Sequence, residues 1–202
     1  MLDRAAAKLL KPTLDAGARL LMRGGVGADA VTLVGFGVGI AAAVAIGLTA
    51  YGWGLALLLA SRVADGLDGA VARLTQPTDR GAFLDITLDF LFYASIPLAF
   101  ALADPVANAL PAAVLLAAFI GTGSSFLAFA VLAERRGLAN ADPAPKGIYY
   151  LGGLTEATET LICFGLMCLW PAQFAWWAYG FAVLCGLTIA TRIVGGARRL
   201  SP

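Results

Sequence analysis

The chain has 202 residues, of which 60% are hydrophobic and only 13% charged, and its net charge is +1. Such a composition excludes an ordinary soluble domain and points to an integral membrane protein, while near-neutral charge gives no electrostatic footprint for nucleic acid. Histidine is absent, which excludes a Ser-His-Asp triad, a histidine base and any histidine-ligated metal.

Residues 1–25 carry charges throughout and do not read as a signal peptide. Leu2, Ala6, Leu9, Leu10, Thr13, Gly17, Leu20 and Leu21 repeat at three-to-four spacing, with Arg4, Lys8, Lys11, Asp15, Arg19 and Arg23 on the other face. This predicts an amphipathic helix on the membrane surface, kinked at Pro12. Residues 26–202 read as one transmembrane unit. Apolar segments run from Val31 to Ala50, Trp53 to Arg73, Ala82 to Ala103, Asn108 to Ala133, Leu154 to Trp170 and Ala172 to Val194. Each is near the ~20 residues that span a bilayer. The fold class is therefore all-α: a six-transmembrane-helix bundle with an N-terminal amphipathic juxtamembrane helix. The turns at Thr49–Gly52, Asp104–Ala107 and Pro171–Gln173 lack Lys and Arg, while the basic residues gather at the opposite ends. The positive-inside rule then puts both termini in the cytoplasm of a bacterial inner-membrane protein. Tyr51, Trp53, Trp170, Trp176 and Trp177 form the outer aromatic belt. Cys163, Cys168 and Cys185 lie in apolar runs and read as buried, inert thiols. Gly35 and Gly39 form a GxxxG for close helix packing.

Four carboxylates break the apolar pattern: Asp65 and Asp68 in the second span, Asp85 and Asp89 in the third. Counted at 1.5 Å per residue, they lie roughly 18, 22, 28 and 22 Å from the outer surface. All therefore fall in the cytoplasmic half of a core ~30 Å thick. A charge at the bilayer centre costs on the order of 3 kcal/mol on insertion scales, so such residues usually hold a cation or do chemistry. Residues three or four apart share a helix face, so each pair presents its oxygens together. Two such faces on adjacent helices make an oxygen cage for Mg²⁺ or Mn²⁺, with room for two ions in the arrangement used for in-line phosphoryl chemistry. Gly69 admits a ligand to the backbone, and Arg73 offers a phosphate clamp. Two other accounts exist: a structural ion-pair network of Arg62 and Arg73 with the aspartates, or a divalent-cation transporter using the intramembrane acids.

Further polar groups lie at similar depth: Ser124 and Ser125 in the fourth span, and Glu156 and Glu159 in the fifth. Arg135, Arg136 and Lys146 flank the mouth, where they would hold an acceptor phosphate or simply follow the positive-inside rule. Glu156 and Glu159 would bind a polyol, attract an amino alcohol, or stabilise a helix N-terminus. Tyr149 and Tyr150 would flank a quaternary amine or anchor at the interface.

The string Asp65-x-x-Asp68-Gly69-x-x-Ala72-Arg73, followed by Gly81-x-x-x-Asp85-x-x-x-Asp89, resembles the signature of the CDP-alcohol phosphotransferases at every fixed position. The resemblance implies transfer of a phosphatidyl group from CDP-diacylglycerol to a hydroxyl acceptor with release of CMP, and a homodimer in the membrane. It makes Asp65, Asp68, Asp85 and Asp89 metal ligands, with Asp89 also the general base. Asp65, Gly69, Ala72, Arg73 and Gly81 would surround the nucleotide, as would Thr32, although the Pro-Asn usual before that threonine is here Ala28-Asp29. A polyol or polyol phosphate is the favoured acceptor, with Ser124, Arg135, Lys146, Glu156 and Glu159 as candidate contacts; an amino alcohol such as serine or choline is the alternative.

Overall fold

The computed structural model describes residues 2–137 and 154–201. Regular structure in them is helical: α1 (Leu2–Arg23), α2 (Ala28–Gly47), α3 (Tyr51–Leu74), α4 (Asp79–Ala103), α5 (Pro105–Arg135), α6 (Ala157–Leu169) and α7 (Phe174–Arg199), the last entered through a 3-10 turn at Pro171–Gln173. Helices close their own backbone hydrogen bonds, as hydrocarbon surroundings demand. Four of them, α2, α4, α5 and α7 with its leading turn, are long and apolar enough to cross a membrane. α3 has 24 residues, but Arg62, Asp65, Asp68 and Arg73 lower its hydropathy. α6 has 13 residues, about 20 Å of helix, and is shorter than the expected segment from Leu154 to Trp170.

Local chemistry fixes the helix ends. α1 runs through Pro12 without interruption and is followed by Gly25 at φ 73°, in the left-handed region. The Thr78 hydroxyl caps α4 by accepting from the Gly81 N–H at 3.0 Å. Asp104 closes α4 and opens α5: its Oδ1 accepts from the Ala107 N–H at 3.1 Å, and Pro105 takes the first helical position. Glu156 and Glu159 form a reciprocal capping box at the start of α6.

α2 packs against both α3 and α4, whereas the backbones of α3 and α4 stand apart and the two helices meet through side chains. The two glycines of the GxxxG allow this. A Cβ on Gly35 would lie 2.9 Å from the Ala64 Cβ, and one on Gly39 would lie 2.6 Å from Phe92 Cδ2 and 2.9 Å from Ser61 Oγ. Without a hydrophobic force between helices in lipid, such backbone approach supplies dispersion contact. α5 packs on α4, α7 on α5, and α6 on α3. Away from the aspartates the core is apolar and aromatic, with Phe100 stacked on Phe174 at 4.6 Å and on Tyr51 at 5.7 Å.

α1 docks on α3 through Leu14, Gly17 and Ala18. Ala18 is buried with Ala70 and Val71, Leu14 lies over Gly66, and a Cβ on Gly17 would meet Leu67 Cδ2 at 2.8 Å. Leu9, Leu10, Thr13 and Leu20 remain exposed. The small residues Gly17 and Ala18 permit close approach, and they select the seam over the bulkier leucine row.

Candidate active site

Asp65 and Asp68 lie one turn apart on α3, and Asp85 and Asp89 one turn apart on α4. The fold draws them together as the depth arithmetic predicts. One carboxylate oxygen from each of Asp65, Asp68 and Asp85 lies within 4.8 Å of the other two. Asp68 is buried and the other two half-buried. Like charges this close repel unless a cation sits among them, and an all-oxygen donor set suits a hard divalent ion. The residues therefore fit a divalent metal.

Asp89 lines the same pocket, but its partner is a guanidinium. Arg62 Nη1 donates to Asp89 Oδ1 at 2.8 Å and lies 3.7 Å from Asp65 Oδ1. The expected cage of four carboxylates is thus a group of three beside a carboxylate–guanidinium pair. Ion pairing of the aspartates by arginine, the structural alternative from sequence, is found for Arg62. Arg73 is exposed instead, and its Nη1 lies 3.1 Å from where a Cβ on Gly69 would stand. The missing side chain of Gly69 lets the Arg73 head group lie along α3.

The start of α4 carries the remaining motif positions. A Cβ on Gly81 would lie 3.2 Å from both Asp29 Oδ1 and Thr78 Oγ1. Asp29 Oδ2 also pairs with Arg80 Nε at 3.4 Å. Thr32, one turn along α2, lines the aspartate pocket and donates its hydroxyl to the Ala28 carbonyl at 3.0 Å. Ala72 is half-buried on α3.

None of Ser124, Arg135, Glu156 and Glu159 lines the aspartate pocket. Ser124 is exposed and donates to the Gly121 carbonyl at 3.3 Å, as Ser125 does to Thr122 and Thr122 to Phe119. Arg135 is exposed in the last turn of α5. Glu156 and Glu159 engage each other's backbone in the capping box. Lys146, Tyr149 and Tyr150 lie outside the described residues.

Sequence reasoning passed over the residues that hold Arg62. Its guanidinium carbon lies 3.9 Å from the centroid of the Phe92 ring, and its Nη2 donates to Ser61 Oγ at 3.2 Å. Ser61 in turn donates to the Gly35 carbonyl at 2.8 Å. The available signal was an arginine one turn before Asp65 inside an apolar run. A second buried arginine, Arg192 on α7, donates from Nη1 to the Thr122 carbonyl at 3.0 Å.

A helical membrane protein with convergent aspartates on this motif defines a class, and residues 26–189 match the sequence model of the CDP-alcohol phosphatidyltransferases. The chain belongs to that family of transferases, which act on phosphate-containing groups in phospholipid biosynthesis. Among individual relatives, it is 52% identical over 199 residues to the inner membrane protein YnjF of Escherichia coli strain K12, covering 97% of this chain and 95% of that one. An archaetidylinositol phosphate synthase of Methanothermobacter thermautotrophicus is 51% identical over 65 residues, 32% of this chain and 33% of its own. In fold, the chain is similar to the phosphatidylinositol phosphate synthase PgsA1 of Mycobacterium tuberculosis. Against its manganese and citrate complex the TM-score is 0.67 at 23% identity, covering 91% of this chain and 88% of that one. Against its CDP-DAG-bound form the TM-score is 0.66 at 23% identity, with coverages of 91% and 92%.

Proposed function

We propose that this protein transfers a phosphatidyl group from CDP-diacylglycerol to the hydroxyl of a polyol or polyol phosphate, releasing CMP. The observation that carries this reading is the convergence of Asp65, Asp68 and Asp85 to within 4.8 Å beside Asp89. Asp65, Asp68 and Asp85 hold the metal, Mg²⁺ or Mn²⁺. When bound, it supplies charge neutralisation for the pyrophosphate and for departing CMP. Asp89 takes the proton of the acceptor hydroxyl, and that oxygen attacks the phosphorus bearing the diacylglycerol. The bond from this phosphorus to the oxygen bridging to CMP breaks, and CMP leaves with the bonding electrons. Gly69, Ala72, Arg73, Gly81 and Thr32 line the nucleotide: the two glycines let phosphates approach the backbone, and Arg73 pairs with them. In-line alignment of acceptor and leaving group supplies much of the acceleration.

In this reading α3 and α6 join the four apolar helices as a six-span bundle, α1 lies in the interface, and the site faces the cytoplasm. The basic residues at that end support the orientation. A polyol or its phosphate is favoured because both synthases named above make, by their names, an inositol phosphate lipid. The protein is read as a homodimer on its family membership; the Gly35 and Gly39 motif faces α3 and α4 within the chain and is not that interface.

The test is CMP release from CDP-diacylglycerol by purified protein with Mg²⁺ or Mn²⁺, over glycerol phosphate, inositol phosphate, inositol, glycerol, serine and choline. Metal-dependent release with a polyol or its phosphate, abolished in Asp89→Asn, is expected. Release only with serine or choline moves the acceptor to an amino alcohol. Divalent-cation flux in proteoliposomes without donor would replace the reading with transport.

A further inference from the structure

Arg62 is a cation built into the carboxylate group, and it is held rigidly. Its Nη1 bridges Asp89 Oδ1 at 2.8 Å and Asp65 Oδ1 at 3.7 Å. Its Nη2 is tied to Ser61 Oγ, which is tied to the backbone of α2 at Gly35. The plane of the guanidinium rests on the Phe92 ring at 3.9 Å, with Tyr93 at 5.7 Å. A planar fork of N–H donors over an aromatic face fixes where this positive charge stands. The side chain is only 11% exposed, so its charge persists there through these partners.

Asp65 belongs to both halves of the site. One of its oxygens joins Asp68 and Asp85 in the three-carboxylate group, and it faces Arg62 together with Asp89. A second cation would have to draw on Asp65 and Asp89, and the space between those two carboxylates is taken by the Arg62 guanidinium.

We propose that Arg62 takes the place of a second metal ion: the chain binds one divalent cation, at Asp65, Asp68 and Asp85, and the guanidinium bridges Asp65 to Asp89. This rests on the metal-site reading above. It makes Arg62 a positioning residue, fixing Asp89 relative to the ion while supplying one positive charge in place of two. The four carboxylates then carry four negative charges against three positive ones.

The test is Mn²⁺ stoichiometry on the purified full chain in detergent, from equilibrium dialysis and the EPR signal of free and bound Mn²⁺. Wild type is expected to bind one ion per chain. Arg62→Gln, monodisperse by size exclusion, is expected to bind two, with dipolar broadening of the bound Mn²⁺ spectrum; Arg62→Lys is expected to stay at one. Two ions on the wild-type chain overturn the proposal, as does a monodisperse Arg62→Gln that stays at one. If Arg62→Gln does not remain monodisperse, the wild-type count decides alone. Absence of Mn²⁺ binding by wild type, or unchanged binding in Asp68→Asn, removes the carboxylate metal site itself and the proposal with it.

Discussion

Gly39 of α2 and Phe92 of α4 are packed so closely that a single methyl group on Gly39 would lie 2.6 Å from the ring. The opposite consequence of that contact is felt at Arg62, whose guanidinium lies on the same ring. Gly39→Leu is therefore expected to displace Phe92 and to lower thermal stability by about 1–3 kcal/mol through overpacking. CMP release should fall with it. Gly37→Ala, on the open side of the same helix, is the control and should leave both unchanged. Equal loss in the two variants would sever the link between α2 packing and the site.

The metal group gives a second expectation. Asp68→Asn and Asp85→Asn should each weaken Mn²⁺ binding by at least about 100-fold, on the scale by which even supporting residues of metal sites act. The chelated wild-type protein should be inactive and recover on adding Mn²⁺. Isothermal titration of Mn²⁺ into each variant checks this, and full affinity in either would remove that residue from the ligand set.

Glu159 separates two roles. As the third residue of a capping box it can be replaced by Gln, which reaches back to the same backbone N–H. Glu159→Gln should thus keep both melting temperature and turnover, whereas Glu159→Ala should cost about 1 kcal/mol of stability. Loss of turnover in a fully stable Glu159→Gln would return the residue to the acceptor site.

Docking of α1 is tested at Gly17, where any Cβ meets Leu67. Gly17→Val should loosen α1 from the turn of α3 that carries Asp65 and Asp68. Limited proteolysis after Arg19 or Arg23 should speed up, and CMP release should drop. An unchanged cleavage rate would show that α1 does not depend on this seam.

Much of this site was legible in the sequence because charge inside hydrocarbon is a strong signal. Asp65, Asp68 and Asp85 converge as depth and helix spacing demand, and Thr32 joins them. What was illegible depends on which side of a helix meets its neighbour. A span apolar all round carries no amphipathic pattern to orient it, so the ring of Phe92 beneath Arg62 could not be anticipated. Small residues, not large ones, chose the seam of α1 against α3, and nothing in the helical period of α1 singled them out. The pairing of Glu156 with Glu159 obeys a short local pattern, Glu three residues after Glu, that is hidden by the glutamates' equal suitability for binding. Asp89 lines the same pocket, and Arg62 was named as a possible ion-pair partner of the aspartates, but sequence spacing did not say which of them it would meet.

The backbones of the helices bearing the carboxylates both pack on α2 and not on one another. α2 therefore acts as a caliper: the absent side chains of Gly35 and Gly39 set how far apart the α3 and α4 oxygens stand. Mg²⁺ demands ligands at about 2.1 Å and Ca²⁺ accepts about 2.4 Å, a difference of only a few tenths of an ångström. A methyl group on Gly35 or Gly39 would therefore disturb the spacing of the carboxylates from a helix that carries none of them.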